Sequence, residues 1–440
     1  MVLRPPPSSL FLVFRNYFNT QRVGRVAKND IIAGLDVGTT KVCALIAELT
    51  DTGQVLIIGM GTVPSTGMKK GVVVDIEATT HAVEEAMSLA TRQANREVDS
   101  VYVGVTGEHI ASLNSSARIA ITTPDHEITQ SDVQRVLESA RVIVLPPDRQ
   151  IIHAIPRSYS IDGQDGVKHP VGMSGSRLEV ETHIIHGTTT FLHNVEKCVT
   201  KAGLEITESV LEPIATGEAV LLQAEKDLGV CLVDIGGGTS DMAVFLNGEI
   251  FYSAVIPVGG NHVTNDVAYG LTVGREEAER LKTESGNALL ELVSEEDVIA
   301  VKQVGRDESR KLRRSALVKI IEPRMQELFQ MVKDELEKAE CLGITPAGLV
   351  ISGGGSQLQG CVEVAQQVMN MPVRIGTPEG LGAIGETLTH PRYATAIGLL
   401  LYGAKQIQES RHPAHTQSSG GAFAMLQKLL DWLRDRFGTH

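Results

Sequence analysis

Aromatic side chains make up only 4% of this chain, with a single tryptophan in 440 residues. The five cysteines (Cys43, Cys198, Cys231, Cys341 and Cys361) stand far apart, and none forms a C-x-x-C pair. Such spacing argues against a disulfide framework or a zinc site and fits buried thiols in a reducing compartment. No apolar run approaches the ~20 residues that a membrane-spanning helix needs. No G-x-x-x-x-G-K-[ST] occurs, which excludes a P-loop. Positive charge is not in excess: 53 acidic against 40 basic residues leave a net charge of −13, so nucleic acid is not an expected partner. Acidic residues are missing from residues 1–29, which carry Arg4, Arg15, Arg22, Arg25 and Lys28. That stretch reads as an Arg-rich targeting segment, a basic extension or translated sequence upstream of the true start, and in each case disorder is expected.

What is present is organised around residues 230–241, VCLVDIGGGTSD. An apolar strand ends in Asp234, turns through Gly236, Gly237 and Gly238, and leaves through Thr239 and Asp241 into a second apolar run. Glycine lets backbone N–H groups approach a phosphate closely. Carboxylates beside a phosphate need a cation between them, most simply Mg²⁺ with its waters. Residues 31–41, IIAGLDVGTTK, repeat the pattern through Asp36, Gly38, Thr39, Thr40 and Lys41. Two copies imply two related halves closing on one nucleotide. Residues 349–356, LVISGGGS, form a third strand-to-glycine element, suited to a ribose or adenine.

Elsewhere, residues 77–96 show helical spacing of Val83, Met87, Ala90 and Ala94, and residues 129–144 read as a helix capped by Thr129. His183 and His186 form H-x-x-H, but residues three apart on a strand face opposite sides, so a metal site is not expected. Gly259 and Gly260 open a helix whose free N–H groups would suit a phosphate. Residues 322–340 carry Met325, Leu328, Phe329, Val332 and Leu336 on one stripe of a helix expected to begin at Glu322. Residues 406–421 are polar and aperiodic, a flexible tether. Residues 422–438 then form a sharply amphipathic segment, with Phe423, Leu426, Leu430, Leu433 and Phe437 on one face and Trp432 at its margin. It is suited to lie in a bilayer surface. Each large apolar side chain gains roughly 1.5–3 kcal/mol on burial. Folding the helix takes back much of this, so stable attachment needs several copies together.

Two D-x-G-x-T hairpins followed by a late S-G-G-G-S turn resemble the actin, Hsp70 and sugar-kinase ATPase superfamily. Within it, the chain is most similar to the bacterial cell-division family FtsA, over roughly residues 30–405 and again in the tail. The resemblance implies a two-lobed α/β fold of duplicated ribonuclease H-like subdomains: 30–98 with 181–228, and 229–265 with 322–405. It adds an inserted subdomain at 99–180, a small subdomain at 266–321 and the terminal helix. It implies binding of ATP and Mg²⁺, with slow hydrolysis at most. Asp36 and Asp234 would hold the cation through water, and the residues of both glycine turns with Gly259 and Gly260 would hold phosphate. Glu279, Lys282, Gly353, Gly354, Gly355 and Ser356 would hold the adenosine end. Glu212, before Pro213 at a crossing helix, would position water; the other reading is a first-turn carboxylate complementing the helix dipole. Arg324 would meet the C-terminal peptide of FtsZ. The implied role is polymerisation on the cytoplasmic face of the membrane at the division site, anchoring the FtsZ ring and recruiting later division proteins. A pilus-assembly adaptor of the same fold and a small-molecule kinase are the rival readings. Family members begin a few residues before the first strand, which favours an upstream start for residues 1–29.

Overall fold

The computed structural model describes residues 31–50, 52–305, 308–379 and 386–411. Two five-stranded sheets repeat one topology. The first runs Glu205–Leu211, Ser100–Val105, Ile31–Val37, Lys41–Leu49, Val55–Pro64. The second runs Val373–Ile375, Leu349–Ser352, Val230–Ile235, Ser240–Leu246, Glu249–Ile256. In each, three strands form an antiparallel meander and two more join in parallel. Strands such as Val230–Ile235 are buried along their whole length, which is why they read as continuous apolar runs. The expected duplicated two-lobed α/β fold is therefore what the chain adopts.

Two helices join the lobes, Glu212–Val220 and Ala394–Arg411. They cross closely because Gly398 faces the backbone of Ala215, where any Cβ would run into the Ala215 carbonyl. The second helix also passes Gly34, whose added Cβ would stand 3.0 Å from Leu399 Cβ. It continues to Arg411, so residues 406–411, expected to open the tether, are helical instead; Gln408 on its last turns donates to the Gly53 carbonyl at 3.1 Å.

A third sheet carries Ala111–Ala120, Arg177–Thr188, Arg149–Ile161 and Gln164–Val167 in that order. The helix Gln130–Ala140 covers it, over a core that includes Ile128, Val136, Leu178 and Val180. Thr129 caps that helix through a reciprocal box with Asp132. The helix stops at Ala140 rather than Val144, and Val142 and Val144 are exposed. The strand Ser100–Val105, expected inside this insert, instead pairs with Ile31–Val37 in the first lobe, where its apolar residues are buried. The boundary expected at 180 falls inside a continuous strand, Arg177–Thr188.

The insert also reaches the second lobe. His183 bonds Asn114 Oδ1 through Nδ1 (2.8 Å) and Ser253 Oγ through Nε2 (3.0 Å). Ser112 Oγ donates to the Ser253 carbonyl, and the Arg157 guanidinium lies 3.7 Å from the centre of the Phe251 ring. His186, three residues on, accepts instead from Arg149 Nε at 2.7 Å.

The helix expected from Glu322 begins at Arg314 and runs through Pro323 to Lys338. Proline removes one helical hydrogen bond. Leu317, Val318 and Ile321 extend the buried stripe backwards and offset that loss, at about 1.5–3 kcal/mol each. No helix among the described residues is long and apolar enough to cross a membrane. The tail positions Phe423, Leu426, Leu430, Trp432, Leu433 and Phe437 lie outside the described residues, as do residues 1–29.

Replacing Gly398 by alanine should destabilise the chain by about 3 kcal/mol or more, because a backbone carbonyl rather than a flexible side chain stands in the way. Urea unfolding checks this; an unchanged midpoint would show that the two helices can separate freely.

Candidate functional site

The two meander turns have the same bonds at the same positions. Gly38 N donates to Lys41 O at 2.9 Å, and Gly236 N donates to Thr239 O at 3.0 Å. Asp36 is paired across its hairpin with Cys43, and Asp234 with Asp241. The turns face each other. A Cβ on Gly237 would collide with Thr40, and one on Gly238 would stand 2.7 Å from Thr39 Oγ1. Glycine in one turn is therefore required by threonine in the other.

Between the turns lies a cavity of about 480 Å³. It is lined by Asp36, Gly38, Thr39, Thr40 and Lys41 of the first turn and by Asp234 with Gly236–Thr239 of the second. Glu212, Gly259, Gly260, Glu279, Lys282 and Gly353–Gly355 line it too, so residues far apart in the chain share one space. Ser356 does not line it: its hydroxyl turns back to the Gly353 carbonyl at 2.8 Å and shapes the turn from behind. Gly353 has φ +80° and abuts the Asp234 carboxylate, so only glycine fits there. Arg324 lies outside the cavity, bound to Asp266 (2.6 and 3.1 Å) and to Glu327.

Gly259 and Gly260 are close to the second turn, but their N–H groups are not free. Gly260 N and Asn261 N donate to the carbonyls of Gly236 and Gly237 at 2.9 and 2.8 Å, and Gly259 N donates to His262 Nδ1. The helix start is spent on holding the glycine turn, not on offering an open anion site.

The carboxylates are crowded and buried. Asp234 accepts from Thr216 (2.6 Å) and Thr395 (3.0 Å), one from each crossing helix. Asp36 pairs with Lys41. Asp241 accepts from Thr106, and burial pushes its carboxyl up to about 7. Glu212 is raised well above the ordinary range, first by burial and then by the charges of Asp36, Asp241 and Asp234; its Oε1 has no hydrogen-bond partner. Glu279 is held below its usual range: burial would raise it, but bonds from Lys282 (2.8 Å) and Thr264 prevail. Among the described residues no three carboxylate, histidine or cysteine side chains could ligate one ion together. A cation here would be held through its waters, the habit of Mg²⁺. The orphaned Glu212 oxygen and the crowded carboxylates fit such a hydrated ion.

Several lining residues were not read from the sequence as part of the site: Thr106, Met325, Leu328, Arg392 and Thr395. Thr106 had a signal. It follows the strand Ser100–Val105, which occupies in the first sheet the place of Leu349–Ser352 in the second. Val103 pairs with Leu35 as Ile351 pairs with Val233, so Thr106-Gly107 is the counterpart of Gly354-Gly355. Met325 and Leu328 read only as core, whereas Asp241, named in the motif, lines the cavity as its place there implied.

The family description "Cell division protein FtsA" matches residues 231–398, and "SHS2 domain inserted in FTSA" matches residues 107–186, which span the third sheet. The cell division protein FtsA of Pseudomonas aeruginosa is 40% identical over 94% of this chain and 99% of its own length. The chain belongs to the FtsA family. FtsA of Escherichia coli K12 is 36% identical, covering 92% of this chain and 98% of its own, and FtsA of Bacillus subtilis is 38% identical, covering 86% and 84%. Among solved structures, the PilM-PilN type IV pilus biogenesis complex aligns with TM-score 0.61 at 17% identity, over 85% of this chain and 98% of that one. MreB5 of Spiroplasma citri bound to ADP aligns with TM-score 0.55 at 15% identity, over 88% and 99%. These two likenesses show the fold, that of the actin-like ATPases. The FtsA relatives make this chain an actin-like cell-division protein, and the pilus and kinase readings give way to that.

The raised carboxyl of Asp241 has a pH consequence. Between pH about 4 and 7 the unfolded chain loses this proton while the folded chain keeps it, so stability falls as pH rises through that window and levels off above it. Without added nucleotide or divalent cation, urea midpoints should decline from pH 5 to pH 7.5, and Asp241→Asn should flatten the decline. Equal slopes in both proteins would contradict the assignment.

Proposed function

We propose that this chain binds ATP with Mg²⁺ between its lobes, polymerises on the cytoplasmic face of the membrane at the division site, and anchors FtsZ there. Membership of the FtsA family supports the role. The carrying observation is the pair of facing turns, which gathers the glycines, threonines and carboxylates of both lobes around one cavity. When bound, the cation would neutralise phosphate charge. Asp36 and Asp234 would orient it through its waters, the two glycine turns would offer backbone N–H groups to the phosphates, and Glu279, Lys282 and Gly353–Gly355 would hold the adenosine end.

The nucleotide acts mainly as a clamp. Asp234 is bonded to both crossing helices, so closure on a phosphate reaches the hinge directly. Glu212, buried and inclined to hold its proton, is a poor base as it stands, which fits slow hydrolysis. The terminal amphipathic segment supplies membrane contact, and polymerisation multiplies that weak contact into stable attachment. Arg324 is assigned to the acidic C-terminal peptide of FtsZ, which must displace Asp266 and Glu327 to reach it. The insert, tied to both lobes, is the surface for neighbouring subunits and later division proteins.

Co-sedimentation with lipid vesicles tests the reading. FtsZ should pellet with vesicles and ATP in the presence of the full chain but not of a chain truncated after Gly421. Pelleting of the full chain without FtsZ would overturn the anchoring role, and failure of both forms to pellet would overturn the membrane role.

A further inference from the structure

Nucleotide polyphosphate carries several negative charges, and the cavity already gathers buried carboxylates. Its cations therefore decide where phosphate can sit. Lys41 is engaged with Asp36, and Lys282 with Glu279. Arg392 also lines the cavity and, among the described residues, pairs with no carboxylate. It is exposed, in the turn Pro391–Tyr393 just before the second crossing helix. Its backbone N–H is fixed by His390 Nδ1 at 3.2 Å, and its guanidinium leans over the Tyr393 ring, 5.0 Å from the centre.

The position is central. The turn holding Arg392 packs against Gly354–Gln357, the late glycine turn of the second lobe. The cavity it lines is bounded on another side by Asp36, Thr39 and Lys41 of the first lobe. Arg392 thus stands between the first-lobe turn and the late glycine turn. A guanidinium is charged at any working pH and offers a planar fork that matches phosphate oxygens. An arginine resting on an aromatic ring beside a cavity can move to an anion without breaking an ion pair.

We propose that Arg392 is a phosphate-binding residue of the nucleotide site, reaching the polyphosphate from the hinge side. The inference rests on the nucleotide reading above. Three residues on, Thr395 bonds Asp234, so the same helix start would sense phosphate through Arg392 and the cation-holding carboxylate through Thr395.

Titration calorimetry of the full chain with adenosine, ADP and ATP, each with Mg²⁺, decides the matter. Arg392→Ala should weaken ADP and ATP by about tenfold or more, as expected for a charged hydrogen-bonding partner, and leave adenosine unchanged. Arg392→Lys should fall between. Arg392→Gln, with a thermal melt matching the parent, should behave like the alanine variant, separating loss of charge from loss of fold. Unchanged ATP affinity in Arg392→Ala would overturn the proposal while leaving the nucleotide site intact. Equal weakening of adenosine would also overturn it, by placing Arg392 on the base. If the parent chain bound none of the three, the nucleotide reading itself would fall and the proposal with it.

Discussion

The contact between the two glycine-bearing turns is what the rest of the molecule depends on. Gly237 and Gly238 have no side chain because Thr40 and Thr39 occupy that space. Each turn is the tip of a buried hairpin, so their approach sets how far apart the two sheets can lie. The carboxylates just before the turns, Asp36 and Asp234, are brought into one cavity by that approach. Their mutual repulsion and burial are tolerated only through partners: Lys41 for one, Thr216 and Thr395 for the other. A site so loaded with buried carboxylate is relieved best by a cation.

The same contact explains why two crossing helices are needed. Each donates one threonine to Asp234, and each must come close enough to do so. Gly398 against Ala215 and Gly34 against Leu399 provide that closeness. A change at the phosphate end of the cavity therefore has a short, bonded route into the hinge. The inserted sheet gives a second link on the far side, through His183, Asn114 and Ser253. Burial holds the His183 ring well towards neutrality, at about 4, so that link stays an uncharged hydrogen-bond chain at ordinary pH.

Much of this was legible in the chain. The repeated strand–Asp–x–Gly–x–Thr pattern is a local signal: tight turns need glycine, and buried strands read as apolar runs. That placed both hairpins, the late glycine turn and the duplicated architecture. Charge pairs at helical spacing, such as Glu279 and Lys282, were legible for the same reason. Element boundaries were less so. A proline at 323 reads as a helix start, yet burial of Leu317, Val318 and Ile321 carries the helix through it.

The sequence by itself thus determined the two hairpins and their chemistry, because turn geometry and strand burial depend on neighbours in the chain. Only the tertiary structure decided which donors were already spent and which side chains converged. Gly260 and Asn261 look free at a helix start until Gly236 and Gly237 are found to accept from them. Ser356 looks like a ligand until its hydroxyl is seen to close its own turn. Thr395 and Arg392 carry no local signature of their own: Thr395 is defined by its bond to Asp234, and Arg392 by the cavity it lines and the late glycine turn it packs against. Hydrogen-bond satisfaction is a property of the whole packed chain, and no short window of residues contains it.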